Sequence, residues 1–166
     1  MNLDHAHGRA EHTAHAEGFD MSMEEVFGEV IYSYSRAQAI EDGVLVNLND
    51  PSFTFRPGLN ICAEAGIKYP VAMTIAAYSA TVSEPGTLLP PGQDISGRLW
   101  VVLTMFKVAA KQGGAEICFP VSVVNWVSVD GERINRTKRE TVILKAICGP
   151  GDGGEPVITI LLPNED

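Results

Sequence analysis

The chain of 166 residues is 45% hydrophobic and carries a formal net charge of −9, a composition that supports one sizeable core. Residues 1–50 contain ten acidic residues but only two arginines, which argues against a general DNA or RNA binder, because such binding depends on clustered lysines and arginines. No apolar run is long enough to cross a bilayer, and the first residues lack the apolar centre of a signal peptide. We therefore expect a cytoplasmic protein with neither a membrane nor a nucleic acid as its direct partner.

The cysteine pattern agrees with a cytoplasmic location. Cys62, Cys118 and Cys148 are odd in number, lie far apart and form no CxxC pair. Buried thiols in a reducing compartment explain this pattern better than a disulfide framework. We therefore expect reduced and buried cysteines.

The N-terminal region divides near residue 20. Residues 1–20 are polar and show no hydrophobic period, so we expect a disordered polar tail followed by a single α+β domain over residues 21–166. Four histidines of this tail are close enough in sequence to suggest a metal site: His5, His7, His12 and His15. A stable site needs ligands that a fold holds in place, so we predict no metal and no cofactor.

Capping side chains indicate where most helices begin. Ser35 starts a helix that Gly43 ends, and Asn60 starts a short one. A further helix is predicted over residues 71–82, because Pro70 suits the first helical position. The remaining elements of this half are a short helix over residues 21–31 and a short strand over residues 44–48.

The most apolar helix is predicted over residues 95–112, with Asp94 as its cap. Its apolar stripe consists of Leu99, Val102, Phe106 and Ala109. The residues that widen this stripe are Trp100, Leu103 and Val108. A helix this apolar is expected to be mostly buried, although the run VVLTMF also suits a strand. If Trp100 lies in the core, Trp100→Ala should cost about 3–5 kcal/mol of stability. A cost below about 1 kcal/mol would place it on the exterior or in an interface.

The C-terminal part predicts an antiparallel sheet. Residues 116–129 alternate as a strand in which Pro120 indicates an edge or a bulge, and Asp130-Gly131 gives a tight turn. A basic stretch over residues 133–145 is interpreted as a solvated loop face, and residues 141–163 predict a β-hairpin around a loop of Gly, Pro and Asp. The fold class is therefore α+β, with an antiparallel sheet in the C-terminal half packed against helices from the N-terminal two-thirds.

Two polar groups are candidate ligand-binding or partner-binding residues. The first group, Tyr34, Arg36, Glu41 and Asp42, surrounds a predicted helix, and its arginine could hold a carboxylate or phosphate through two hydrogen bonds. The second group, Asp152 and Glu155, lies in the loop GPGDGGEP. A phosphate-binding loop needs GxxxxGK[ST] before a helix, whereas here no lysine follows and the next element is a strand. We prefer the structural interpretations, a capped helix with a solvated face and a hairpin connection.

Several stretches together resemble a known family: YSRAQAIEDGVLV, AGIKYPVAMT with QDISGRLW, and LKAICGPGDGGEPVITILLPNED. The family comprises uncharacterised small proteins carried by bacterial plasmids, phages and integrated elements. This chain differs by a longer acidic N-terminus, by the segment NDPSFTFRPGLN, and by Val101 where the pattern has an acidic residue. The resemblance implies a setting, since small proteins of mobile elements often blunt restriction or CRISPR defences by binding a defence protein or by sequestering or destroying a signalling nucleotide.

Catalysis is the weaker functional hypothesis, because the histidines lie in the predicted tail and there is no GxSxG motif. No catalytic residue is assigned. The preferred hypothesis is a mobile-element accessory protein that inhibits a host defence system, of the anti-CRISPR or anti-restriction type, by binding a protein component. The alternative is a binder or hydrolase of a small signalling nucleotide that uses a pocket between helices and sheet near Arg36. A plasmid-maintenance regulator is a third. The oligomeric state is left open between a monomer and a homodimer.

Overall fold

Local capping decides where the helices begin in the computed structural model, which describes residues 34–53, 58–84, 86–130 and 132–165. The predicted tail, its four histidines and the predicted helix over residues 21–31 lie outside the described residues. The helices are α1 (Arg36–Glu41), α2 (Ile61–Glu64), α3 (Ile75–Thr81) and α4 (Ile95–Ala110). Their N-caps are Ser35, Asn60, Thr74 and Asp94, each of which accepts a hydrogen bond from a backbone N–H three residues later.

The first of these helices has the reciprocal form of the cap. The Ser35 hydroxyl accepts from the backbone N–H of Gln38, while the Gln38 side chain accepts from the backbone N–H of Ser35. The chain then leaves the helix at Gly43, whose φ of 73° is a conformation that glycine adopts without steric cost. These features confirm the predicted helix and both of its ends.

The strands are β1 (Leu45–Asn47), β2 (Val71–Thr74), β3 (Glu116–Val129), β4 (Glu132–Pro150) and β5 (Pro156–Leu161). They form one sheet in the order β1-β2-β5-β4-β3. All neighbouring pairs are antiparallel except β2 and β5, which run parallel. The predicted α+β class and C-terminal antiparallel sheet are confirmed, but the sheet also takes two strands from the N-terminal half.

The predicted helix over residues 71–82 is wrong in its first third. Residues 71–74 form β2, and the helix begins only at Ile75. β2 lies between β1 and β5, so both of its edges find backbone partners, for example Val71 opposite Ile158 of β5. Pairing with segments distant in the chain therefore overrides the helical signal of Pro70.

The long hairpin of β3 and β4 corrects a second interpretation. The basic stretch over residues 133–145 lies inside β4 rather than in a loop. Pro120 does lie on an edge strand, as its missing N–H predicts, because β3 is the last strand of the sheet. Asp130, between the two strands, has a φ of 51°, a turn conformation that Asp tolerates.

The core lies between α2, α3 and α4 and one face of the sheet. Its largest fully buried side chains include Phe119, Leu48, Ile61, Met73, Leu99 and Leu103. The predicted stripe of α4 is buried throughout, and Leu103 widens it as predicted. Trp100 and Val108 are exposed, so the prediction that they widen the stripe is wrong and Trp100 lies on the exterior. Of the cysteines only Cys62 is buried, and Cys118 and Cys148 are exposed.

Within the described part of the chain, no helix has both the length and the apolar character needed to cross a membrane.

Candidate functional site

The two predicted polar groups come together in space, although they are more than a hundred residues apart in the chain. The carboxylate of Asp152, in the β4–β5 loop, accepts hydrogen bonds from the backbone N–H groups of Arg36 at 2.7 Å and Ala37 at 2.9 Å. These N–H groups belong to the first turn of α1, where no partner within the helix is available. Both bonds stabilise the charged carboxylate and lower the pKa of Asp152.

The side chain of Arg36 reaches from α1 to the neighbouring strand. Its guanidinium donates to the hydroxyl of Thr159 at 2.7 Å and to the carbonyl oxygen of Ile158 at 2.9 Å. Burial lowers the pKa of Arg36, and the charges of Asp152 and Glu155 oppose this effect. Since two of its donors are bonded inside the fold, the arginine attaches α1 to β5.

The loop itself is folded around Glu155. The backbone oxygen of this residue accepts from the N–H of Gly151 at 2.6 Å, and its carboxylate accepts from the N–H of Gly153 at 2.9 Å. A Cβ atom at Gly151 would overlap the Glu155 carboxylate and would lie 2.9 Å from Val157 Cγ1. The loop therefore needs glycine at this position for lack of space, which confirms a structured hairpin connection.

The remaining predicted residues flank the same helix. The hydroxyl of Tyr34 donates to the carboxylate of Asp42 at 2.9 Å and so links the two ends of α1. Glu41 is exposed at the last position of the helix. The preferred interpretation of a capped helix is confirmed, and its cap is completed by a distant loop.

We call Arg36, Asp152, Glu155 and Thr159 the hairpin clamp. Sequence reasoning selected three of its four members but missed Thr159 and the direct bonds between α1 and the loop. The sequence did contain a signal for these bonds. The short helix α1 has no acidic residue in its first turn, and the glycine-rich loop supplies one. The geometry suits holding two segments together, because both Asp152 oxygens accept hydrogen bonds from the protein itself.

A second arginine, which sequence reasoning did not select, attaches α4 to the edge strand. Arg98 is 6% exposed and donates to the carbonyl oxygens of Val82 and Val124 and to the side chains of Gln93 and Asn125. Burial lowers its pKa. This residue is the arginine of the stretch QDISGRLW, so that stretch has a structural role.

The outer face of α4 is the most apolar exposed helix surface that the structure describes. We call Trp100, Val101, Thr104 and Val108 the outer stripe, because their spacing places them on one side of the helix. Trp100 is 39% exposed, Val101 43% and Val108 54%. The opposite side of the same helix is buried against the core, so the helix is apolar on both sides.

Several cavities adjoin this helix, and two of them bear on its chemistry. One, of about 330 Å³, is lined by Asp94, Arg98 and Arg139 beside residues 122–124 of β3. The other, of about 340 Å³, is apolar and is lined by Tyr69, Phe106, Ile117, Ile147, Cys148 and their neighbours. Nowhere among the described residues do three or more His, Cys, Asp or Glu side chains converge as metal ligands.

Comparison with known proteins gives a family. Residues 23–166 match the model of a Family of unknown function (DUF6573). No curated protein and no solved structure matches the chain. The match includes the hairpin clamp, the Arg98 contacts and the outer stripe, and it agrees with the expectation of an uncharacterised domain family. The chain therefore belongs to the Family of unknown function (DUF6573).

Proposed function

We propose that this protein is a mobile-element accessory factor that inhibits a host defence system by binding one of its protein components without catalysis. The mobile-element setting comes from the sequence resemblance. The mode of action comes from the surface of α4, because the outer stripe is the observation that favours binding to a protein.

The outer stripe contains residue types that dominate protein interfaces. Trp100 is a large aromatic side chain, and tryptophan is enriched among the few residues that carry most of the binding energy in interfaces. Val101 and Val108 extend the apolar surface along the same helix face. An exposed apolar stripe on a helix suits insertion into an apolar groove of a partner.

The negative charge of the chain indicates the charge that the surface of the partner should carry. The net charge is −9, and ten of the acidic residues lie within residues 1–50. A partner with an apolar groove and a basic rim would match both the outer stripe and this charge. We further propose that the acidic N-terminal third contributes to the contact and accelerates association through long-range attraction.

The hairpin clamp supports this proposal because its polar groups are bonded to each other and to the backbone within the protein. Arg36 and Asp152 are the polar groups best suited to hold a charged ligand, yet each makes two hydrogen bonds within the protein. We therefore assign them to the scaffold and place the functional surface on α4.

A protection assay tests the proposal. Bacteria with an active restriction or CRISPR system are transformed with a targeted plasmid, with and without the protein supplied from a second plasmid. We expect the protein to raise the transformation efficiency to that of an untargeted plasmid, and Trp100→Ala to abolish this gain. Tyr69→Ala is the matched control, because Tyr69 is another exposed aromatic residue, at 49%, and lies outside the outer stripe.

Two outcomes would contradict the proposal. Full protection by Trp100→Ala would exclude the outer stripe as the binding surface. Absence of protection against every restriction and CRISPR system tested would contradict the function itself. Deletion of residues 1–30 tests the acidic contribution, and an unchanged association rate with the identified defence component would exclude it.

The alternative function, binding or hydrolysis of a small signalling nucleotide, is favoured by one observation. Arg139 is exposed and lines the cavity of about 330 Å³ beside α4, and a nucleotide phosphate requires a cationic donor of this kind. Arg98 lines the same cavity, but its donors are bonded within the protein. Incubation of the protein with a panel of nucleotides, followed by chromatography, would reveal retained or altered ligand. Retention that Arg139→Ala abolishes would favour this alternative over protein binding.

A further inference from the structure

One edge of β4 has no neighbouring strand of the described chain along more than half of the length of β4. This strand, Glu132–Pro150, pairs with β3 from Glu132 to Ile147, but it pairs with β5 only from Lys145 to Pro150. Among the residues that the structure describes, no strand lies beside the other edge of residues 132–144. A strand edge of this kind presents N–H and C=O groups that can pair with another chain.

The direction of the backbone groups follows from the neighbouring pairs. The N–H of Cys148 donates to the carbonyl oxygen of Ala115, which immediately precedes β3. The backbone N–H and C=O groups of the even-numbered residues of β4 therefore point toward β3. Backbone groups of successive residues in a strand point to opposite edges. The N–H and C=O groups of Thr137, Arg139 and Thr141 therefore point to the open edge, and all three residues are exposed.

The sequence along this edge is complementary to itself. Residues 137–141 read TKRET. If two copies pair antiparallel with Arg139 at the centre, Lys138 of each copy lies opposite Glu140 of the other, and Thr137 lies opposite Thr141. Opposite charges and threonine pairs across strands are favourable.

Each of the three neighbouring registers has one like-charge pair at its centre: two arginines when the pair is centred on Arg139, two lysines on Lys138 and two glutamates on Glu140. Only the register centred on Arg139 adds unlike pairs within the regular part of β4, with Lys138 opposite Glu140 twice. The register centred on Lys138 would need Arg136 opposite Glu140, and Arg136 lies beyond the point where the register between β3 and β4 shifts. The side chain of Arg139 lines the cavity beside α4 together with Ser122 and Asp94, on the side of β3. The two central arginines would therefore extend away from the shared edge.

The structure also limits where such pairing can occur. β5 occupies the edge from Lys145 onward, and the register between β3 and β4 shifts beyond Trp126, which is opposite Thr137. The available segment lies between these two limits, at residues 137–144. It contains the self-complementary residues 137–141.

We infer that two copies of this protein associate through the open edges of β4 and form a four-stranded ribbon in the order β3-β4-β4′-β3′. Each pair of facing residues among Thr137, Arg139 and Thr141 exchanges two N–H···O hydrogen bonds. Lys138 and Glu140, which are 2.9 Å apart within one copy, form a network of four charges in the dimer. The inference rests on the open edge of β4 and not on the outer stripe, so it does not depend on the proposed function.

Charge reversal tests the inference on the full chain by sedimentation velocity over a series of concentrations. We expect a reversible monomer–dimer equilibrium that weakens with salt, because exposed charges are screened. Lys138→Glu and Glu140→Lys should each weaken dimerisation about tenfold, since each places like charges opposite each other twice per dimer. The variant that combines both reversals should restore the affinity, because each exchanged charge again lies opposite an unlike charge of the second copy.

Lys68→Glu is the matched control for Lys138→Glu, because it makes the same change in net charge at an exposed site outside the edge. Hydrogen exchange provides a second readout that does not depend on charge. The backbone amides of Thr137, Arg139 and Thr141 should become protected as the protein concentration rises. A monomer at all concentrations, a dimer that neither single reversal weakens, or amides whose exchange is independent of concentration would overturn the inference.

Discussion

Replacement of Gly151 by alanine tests whether the β4–β5 loop holds its shape through close packing. The new Cβ would overlap the Glu155 carboxylate and would lie 2.9 Å from Val157 Cγ1. The carboxylate can rotate away, but it would then lose its hydrogen bond to the N–H of Gly153, worth about 0.5–1.5 kcal/mol. Val157 is only 5% exposed, and its displacement adds about 1–3 kcal/mol.

The lower backbone entropy of the unfolded alanine variant offsets about 0.4–1 kcal/mol of this loss. We therefore expect Gly151→Ala to lower the free energy of unfolding by about 2 kcal/mol, which corresponds to a fall in Tm of roughly 6 °C for a chain of this size. Equilibrium unfolding in urea, followed by tryptophan fluorescence, measures the change. The moved loop should also release Asp152, so the amides of Arg36 and Ala37 should exchange faster with solvent.

Gly149→Ala is the matched control in the same segment. A Cβ atom at Gly149 would meet no heavy atom within 4 Å, so this variant should change the stability by no more than about 1 kcal/mol, and toward higher stability. A double-mutant cycle between Gly151→Ala and Glu155→Ala isolates the contribution of the carboxylate. Equal stability of Gly151→Ala and Gly149→Ala would refute the packing argument.

Three further predictions concern ionisable and reactive groups. The pKa of Asp152 is lowered in the folded protein, so its stabilising contribution is present above the unfolded pKa near 3.8 and is lost as the pH falls through the lower folded pKa. The difference in unfolding free energy between the wild type and Asp152→Asn should therefore disappear below pH 4, which acid denaturation of both proteins measures. Burial raises the pKa of Cys62 to about 12, so a thiol reagent at neutral pH should label Cys118 and Cys148 and leave Cys62 unlabelled until the protein unfolds. Mass spectrometry of labelled peptides measures this, and labelling of all three cysteines in the folded protein would contradict it. Arg98→Met should lower the free energy of unfolding by about 3 kcal/mol, because the buried carbonyl of Val82 and the partly buried carbonyl of Val124 lose their donor. Arg98→Lys should recover part of this loss in the same urea assay.

Features that depend on residues close together in the chain could be predicted. Ser35, Asn60 and Asp94 each bond to a backbone N–H three residues later, so the residue type and its position before a helical stretch contain the necessary information. The edge position of Pro120 is likewise local, because a missing N–H excludes a central strand.

Features decided by distant partners could not be predicted. The segment at Val71 becomes a strand because β5 lies beside it, and β5 is more than eighty residues further along the chain. The bond from Arg36 to Asp152 spans 116 residues, so the sequence could indicate two polar groups but not their contact. Trp100 is exposed because α4 has a core on one side only, and an apolar pattern around a helix does not state how many sides will be covered.

The position of β5 affects how the protein is made. This strand, Pro156–Leu161, follows the other four strands in the chain, yet it lies in the middle of the sheet and joins β2 to β4. A ribosome therefore completes the outer strands before it supplies the central one, and the sheet cannot close until residue 161 has been synthesised. A stop codon or a protease cut before Pro156 would leave a β1–β2 pair and a β3–β4 hairpin with no strand between them.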